Sequence, residues 1–148
     1  MKTLKNQLII CFTSIILIGC ASLYDPVTHA ETIQTKTQAL SLVDKGTEAF
    51  SSHTSEVNQL KGKLAERLAY EKAKKKNEIT TQMWEILNND NKLIKSYLKL
   101  WEQKGTLNSA FVDEAKPQIE KAFDLLIDYE EKKDKSGSQP LVDFINNL

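Results

Sequence analysis

Two cysteines, five glycines and three prolines are few for 148 residues, and each shortage removes a class of protein. Both cysteines, Cys11 and Cys20, fall in the first 20 positions. The rest of the chain therefore has no disulfide framework, thiol nucleophile, redox pair or cysteine metal site to offer. No glycine-rich phosphate loop is present, and no stretch alternates polar and apolar residues as a half-buried strand does. Acidic and basic side chains balance at 20 each, without the basic excess on one face that nucleic acid demands, so none is expected as a partner. No apolar run reaches the roughly 20 residues needed to cross a bilayer.

What is present starts at the first residues. Lys2 and Lys5 precede an apolar run from Leu8 to Ile18, which closes in Leu17-Ile18-Gly19-Cys20 and is followed by Ala21. A short cationic start, an apolar core of about eleven residues and small residues at the cut describe a secretory signal peptide. A cut after Ala30, at Thr28-His29-Ala30, would lie too far from the apolar run. Leu17-Ile18-Gly19-Cys20 also resembles the lipobox of bacterial lipoproteins. That resemblance implies cleavage before Cys20, with a thioether-linked diacylglycerol and usually an N-acyl chain on that cysteine. Two acyl chains suffice for stable anchoring. It implies a lipid-anchored protein of the cell envelope. Because Ala21 rather than aspartate follows the cysteine, the expected site in a Gram-negative host is the periplasmic face of the outer membrane. In a host with one membrane, it is that membrane's outer surface.

Removing the first 19 of 148 residues leaves 129, enough for one modest core. Loss of Lys2 and Lys5 leaves that body a net charge of about −2. The expected division is 1–19 signal peptide, 20–28 lipidated tether, 29–135 helical domain and 136–148 linker and C-terminal tail. The fold class is all-α: an antiparallel bundle of three to four helices with a long first helix, plus a short apolar tail.

The helical reading rests on spacing. Ile33, Leu40, Val43, Phe50, Val57, Leu60, Leu64 and Leu68 recur at three, four and seven residues, predicting one long irregular helix over about 29–75. Gly46, Gly62 and the Ser51–Ser55 run weaken it, with a bend near residue 52 or a division into two short helices as the alternative. Ile79, Met83, Trp84 and Leu87 mark a short second helix, closed by Asn88-Asn89-Asp90-Asn91. Leu93 to Trp101 is the most apolar segment and is expected to be central, ending at Gly105. A last main helix opens at Asn108 or Ser109 and runs to about Lys135, with a kink or break expected at Pro117. Ser136-Gly137-Ser138-Gln139-Pro140 reads as a linker. The tail Leu141–Leu148 is too short to be a stable helix alone.

Candidate chemistry is sparse. His53 and Glu56 share a helix face but lack further ligands at metal-site spacing, so no metal or cofactor is expected. Glu120, Asp124 and Asp128 line one side of a helix, with lysines nearby to compensate them. Lys72, Lys74, Lys75 and Lys76 form the one dense basic patch, a candidate contact for an anionic surface or a complement to a helix dipole. Trp84 and Trp101 read as core. Leu141, Phe144, Ile145 and Leu148 are candidates either for docking on the bundle or for capture by a partner.

The expected function is non-catalytic: an envelope lipoprotein serving as an accessory or protein-interaction module, its partners the membrane through the anchor and another envelope protein. A small-ligand or lipid-binding helical module is the alternative and would need an apolar cavity of several hundred Å³. An enzyme acting on envelope polymers ranks last and would need a cleft with convergent carboxylates.

Overall fold

The computed structural model describes residues 24–133 and 135–148. The signal peptide, the lipobox and Cys20 lie outside the described residues. Among those described there are six α-helices and no strand. They are α1 (Pro26–Asp44), α2 (Thr54–Lys72), α3 (Glu78–Leu87), α4 (Leu93–Lys104), α5 (Ser109–Lys132) and α6 (Lys135–Asn146). The protein is an all-α bundle with four antiparallel legs. α1 forms the first, α2 the second, α3 and α4 in succession the third, and α5 the fourth, while α6 folds back over α5 and α3. The proximal end, where α1 starts, also holds the α2–α3 turn and the end of α5. At the distal end the Leu107 amide donates to the Gly46 carbonyl and the Phe50 amide to the Gly105 carbonyl, both at 2.8 Å.

The core fills with the large side chains at helical spacing. Trp84, Tyr97, Trp101, Phe123, Leu60 and Leu64 are almost completely buried, and Trp84 meets Phe123 edge to face at 6.5 Å. Several boundaries follow local chemistry. Asp25 caps α1 by accepting from the Val27 and Thr28 amides, ahead of Pro26 at the first helical position. Asn108 caps α5 through the Phe111 amide. Gly105 ends α4 at φ 76°, a backbone conformation that costs glycine nothing.

Four features differ from the sequence reading. The long first helix is two helices, separated by residues 45–53 and a 3₁₀ turn at Phe50–Ser52. The break is enforced from outside the segment. The Tyr97 hydroxyl donates to the Val43 carbonyl at 2.8 Å, an acceptor it shares with the Gly46 amide at 3.0 Å in the tightened last turn, and a Cβ on Gly46 would lie 1.8 Å from that hydroxyl. Gly46→Ala should therefore cost about 1–3 kcal/mol by overpacking. Denaturant midpoints check this, and Tyr97→Phe, damaging alone, should cost less in the Gly46→Ala background.

The buried stripe of α1 is Thr28, Thr32, Thr35, Ala39, Leu42 and Val43, whereas Ile33 is 42% exposed. Threonine serves as core here because its hydroxyl finds an acceptor inside its own helix: Thr32 donates to the Thr28 carbonyl and Thr35 to that of Glu31, both at 2.7 Å. Short side chains let α1 lie against α5, its most extensive neighbour.

The segment expected as a linker belongs to α6, which includes Pro140. Leu141 is completely buried, and Phe144 and Ile145 pack half-buried on the same core. Burial of that face supplies the helix with the stability its length and composition withhold. Pro117 does not break α5, which is continuous over Ser109–Lys132.

Candidate functional site

The proximal end holds the unusual chemistry. Glu71, the penultimate residue of α2, is completely buried. One carboxylate oxygen accepts from the Thr28 hydroxyl at 2.7 Å, from the Arg67 guanidinium at 3.0 Å and from Lys74 Nζ at 3.0 Å. The other accepts from Lys74 at 2.9 Å and from Asn77 Nδ2 at 2.7 Å. Lys74 also bridges to Asp25 at 2.7 Å, and the Tyr70 hydroxyl donates to the same carboxylate at 3.1 Å. From Asn77 the chain of contacts continues. Lys133 Nζ donates to Asn77 Oδ1 at 3.0 Å and lies 3.1 Å from Glu130, which also accepts from the Thr80 hydroxyl. One polar network thus ties the start of α1, the end of α2, the α2–α3 turn, the start of α3 and the end of α5.

Its charges balance as three carboxylates, Asp25, Glu71 and Glu130, against three cations, Arg67, Lys74 and Lys133. Burial pushes the Asp25 carboxyl upward, but hydrogen bonds from Lys74 and from the Thr28 and Val27 amides outweigh it and hold the group well below the usual carboxylate range. Burial raises Glu130, and Thr80 and Lys133 offset only part of that. Burial lowers Lys74, yet Asp25 and Glu71 more than restore it, so its ammonium is held charged. Lys133 adopts φ 39°, a left-handed conformation unusual for lysine, at the junction of α5 and α6. With Glu71 fully buried and its carboxylate bonded to four side chains, the network works as a clasp.

The basic patch separates into different roles around this clasp. Lys74 is drawn inward. Lys72 is half-exposed and pairs with Glu85 at 2.8 Å. Lys75 and Lys76 are exposed at the turn. Lys72, Lys74, Asn77, Glu78, Thr81 and Gln82 outline an open surface hollow of about 320 Å³. Tyr24 and Val27, each 51% exposed, and Tyr70, 40% exposed, share this end.

The other candidates are dispersed. Lys36 sits between Glu120 and Asp124, at 3.1 and 2.5 Å, so two of the three aligned carboxylates fasten α1 to α5. Among the described residues no group of three or more His, Asp or Glu is placed to hold a metal, and no helix is long and apolar enough to cross a membrane. Leu141, Phe144 and Ile145 are spent on the bundle. Leu148, 43% exposed, sits at the rim of an open groove of about 300 Å³ with Leu93, Tyr97, Phe111 and Ile119.

His53 precedes α2 at the distal end. Its two ring nitrogens lie 2.6 Å from Glu56 and 2.8 Å from Glu48, and its ring stands 5.6 Å from that of Trp101. Glu56 first and Glu48 second raise the imidazole above its ordinary value of 6.5. The folded protein thus favours the charged ring. Its stabilisation is complete below the unfolded value and is lost as pH rises through the elevated folded one. Urea midpoints from pH 5 to 9 should show this decline, and His53→Gln should remove it.

The sequence signals Lys74 as one of a cluster but gives no sign of Glu71, Asn77, Thr80 or Glu130 as a group. Arg67, Glu71 and Lys74 do stand at i, i+4 and i+7, the spacing of one helix face, which is the single local hint. No protein-family model, no curated protein and no solved structure matches this chain.

Proposed function

We propose that this protein is a lipoprotein of the cell envelope, anchored through Cys20, whose helical body is a non-catalytic accessory or partner-binding module. The observation that carries the reading is Leu17-Ile18-Gly19-Cys20 behind an apolar run, six residues before α1 begins at Pro26. The proximal clasp supports it: Asp25, five residues after Cys20 in the sequence, is bonded to Tyr70 and Lys74, which fixes the start of α1 to the end of α2. Lys72, Lys75 and Lys76 with Tyr24 and Tyr70 give that end the cationic and amphipathic character suited to anionic headgroups, at about 1 kcal/mol per lysine. The site in a Gram-negative host is the periplasmic face of the outer membrane, and the working surfaces are helix faces directed at another envelope protein.

Membrane extraction tests this reading. The full chain expressed in bacteria should stay with the membrane fraction through high-salt and carbonate washes and be released by detergent. Release by salt alone would reduce the attachment to a surface charge effect and overturn the anchor.

A further inference from the structure

α6 is fastened differently from the other helices. Of residues 138–148, Leu141 alone is completely buried, with Phe144 and Ile145 partly so, whereas the shorter α3 sinks Met83, Trp84 and Leu87 fully into the core. Its composition does not favour a helix. Gly137 adds conformational freedom that folding must remove, and Pro140 takes away one helical hydrogen bond. The Gln139 amide donates to the Asp143 carboxylate and the Asn147 amide to the Asp143 carbonyl, both at 2.6 Å. These bonds are internal to the segment, so detachment leaves them intact.

Lys133 is the fastener. At the end of α5 its backbone stands at φ 39° and ψ 34°, turning the chain back so that α6 lies on α5 and α3. That left-handed conformation is unfavourable for any residue with a Cβ. What offsets the cost is the ammonium, which sits inside the clasp 3.0 Å from Asn77 Oδ1, 3.4 Å from the Thr80 hydroxyl and 3.1 Å from Glu130. Only 4% of the Lys133 side chain and none of Glu130 is exposed. A Lys133 that relaxed to the right-handed region would let the chain run on in the direction of α5, off α3.

We infer that α6 is a strap that opens as a unit while the four legs of the bundle stay folded, with the Lys133 ammonium holding it shut. Opening uncovers the apolar surface of α3 and α5 beneath Leu141, Phe144 and Ile145. The body therefore has two states that differ in the surface they present. The basis is the unequal share of burial, since an element with one fully buried side chain detaches at a lower free energy than the core unfolds.

Amide hydrogen exchange of the full chain in detergent reads the opening residue by residue. Corrected for intrinsic rates, the amides from Val142 to Ile145 should exchange at a common rate, about a hundredfold or more above those of Leu98 in α4 and Phe123 in α5. Two variants separate strap opening from global unfolding. Lys133→Met keeps the apolar stem and loses the ammonium, whose bonds the open state has already broken, so α6 exchange should quicken about tenfold. Trp101→Phe weakens a contact that the open state keeps. Exchange at Leu98 should then quicken about fivefold while α6 stays at the wild-type rate. Rates in α6 equal to that at Leu98 would overturn the strap, and a steady rise towards Leu148 would reduce it to end fraying. An α6 unmoved by Lys133→Met, or quickened by Trp101→Phe as much as Leu98 is, would overturn it equally.

Discussion

Glu71→Ala should cost about 3–5 kcal/mol, because removing one member of a buried ion pair leaves the other charges without compensation. Five hydrogen bonds converge on that carboxylate, from Thr28, Arg67, Asn77 and two from Lys74, and none of its surface is exposed. Against a typical total of 5–15 kcal/mol, the loss would leave the body marginal. Glu71→Gln keeps the shape but turns a donor towards donors, so it too should destabilise. Thr28→Val, which preserves volume but removes a hydroxyl that contacts Glu71, Asp25 and Lys74, should cost about 1–3 kcal/mol. Denaturant midpoints of the three variants decide between a clasp that holds the fold and a decorative surface network. If Glu71→Ala unfolds at the wild-type midpoint, the clasp is not structural.

Trp101→Ala should cost a similar 3–5 kcal/mol, the usual result of truncating a buried aromatic. Its ring is fully buried, meets Phe50 edge to face at 5.4 Å and lies beside His53, and its indole nitrogen donates to the Glu48 carbonyl at 3.0 Å. It joins α4 to the 45–53 connection at the distal end, as Glu71 joins α2 to α1 at the proximal one. Trp101→Phe should retain most of the burial and lose the hydrogen bond, at about 1 kcal/mol. Exposed Lys75→Ala should stay within about 0.5 kcal/mol. A Trp101→Ala body with an unchanged melt would move that residue from the core to an interface.

Elements defined by their own residues were legible in the sequence. The Asn88–Asn91 turn, the Gly105 stop and the Asn108 cap carry their conformations locally, and the apolar spacing of Trp84, Leu98 and Trp101 already implied a helical core. What was not legible depends on distant partners. Gly46 is an ordinary weak point until Tyr97, 51 positions later, sets its hydroxyl where a Cβ at position 46 would stand. Thr28, Thr32 and Thr35 look like a solvated face until the Thr32 and Thr35 hydroxyls are seen bonded to carbonyls of their own helix and that of Thr28 to Glu71, which leaves the opposite face, with Ile33, to stand exposed. The residues before Leu141 look like a linker because glycine, serine and proline disfavour a helix, and docking of Leu141, Phe144 and Ile145 outweighs that preference. For the clasp, Glu71 and Glu130 are each unremarkable in sequence. Their roles come from burial and from partners up to 56 residues apart along the chain, as for Lys133 and Asn77.

Every functional statement above rests on attachment at Cys20, and acyl transfer to that residue is directly measurable. Bacteria expressing the wild-type chain and Cys20→Ser are grown with an alkyne fatty acid, and the protein is isolated and clicked to a fluorophore. Strong labelling of the wild type with loss of label, and loss from the membrane fraction, in Cys20→Ser is the expected result. Equal labelling of both, or none of either with the protein still membrane-bound, would contradict the anchor and the function built on it.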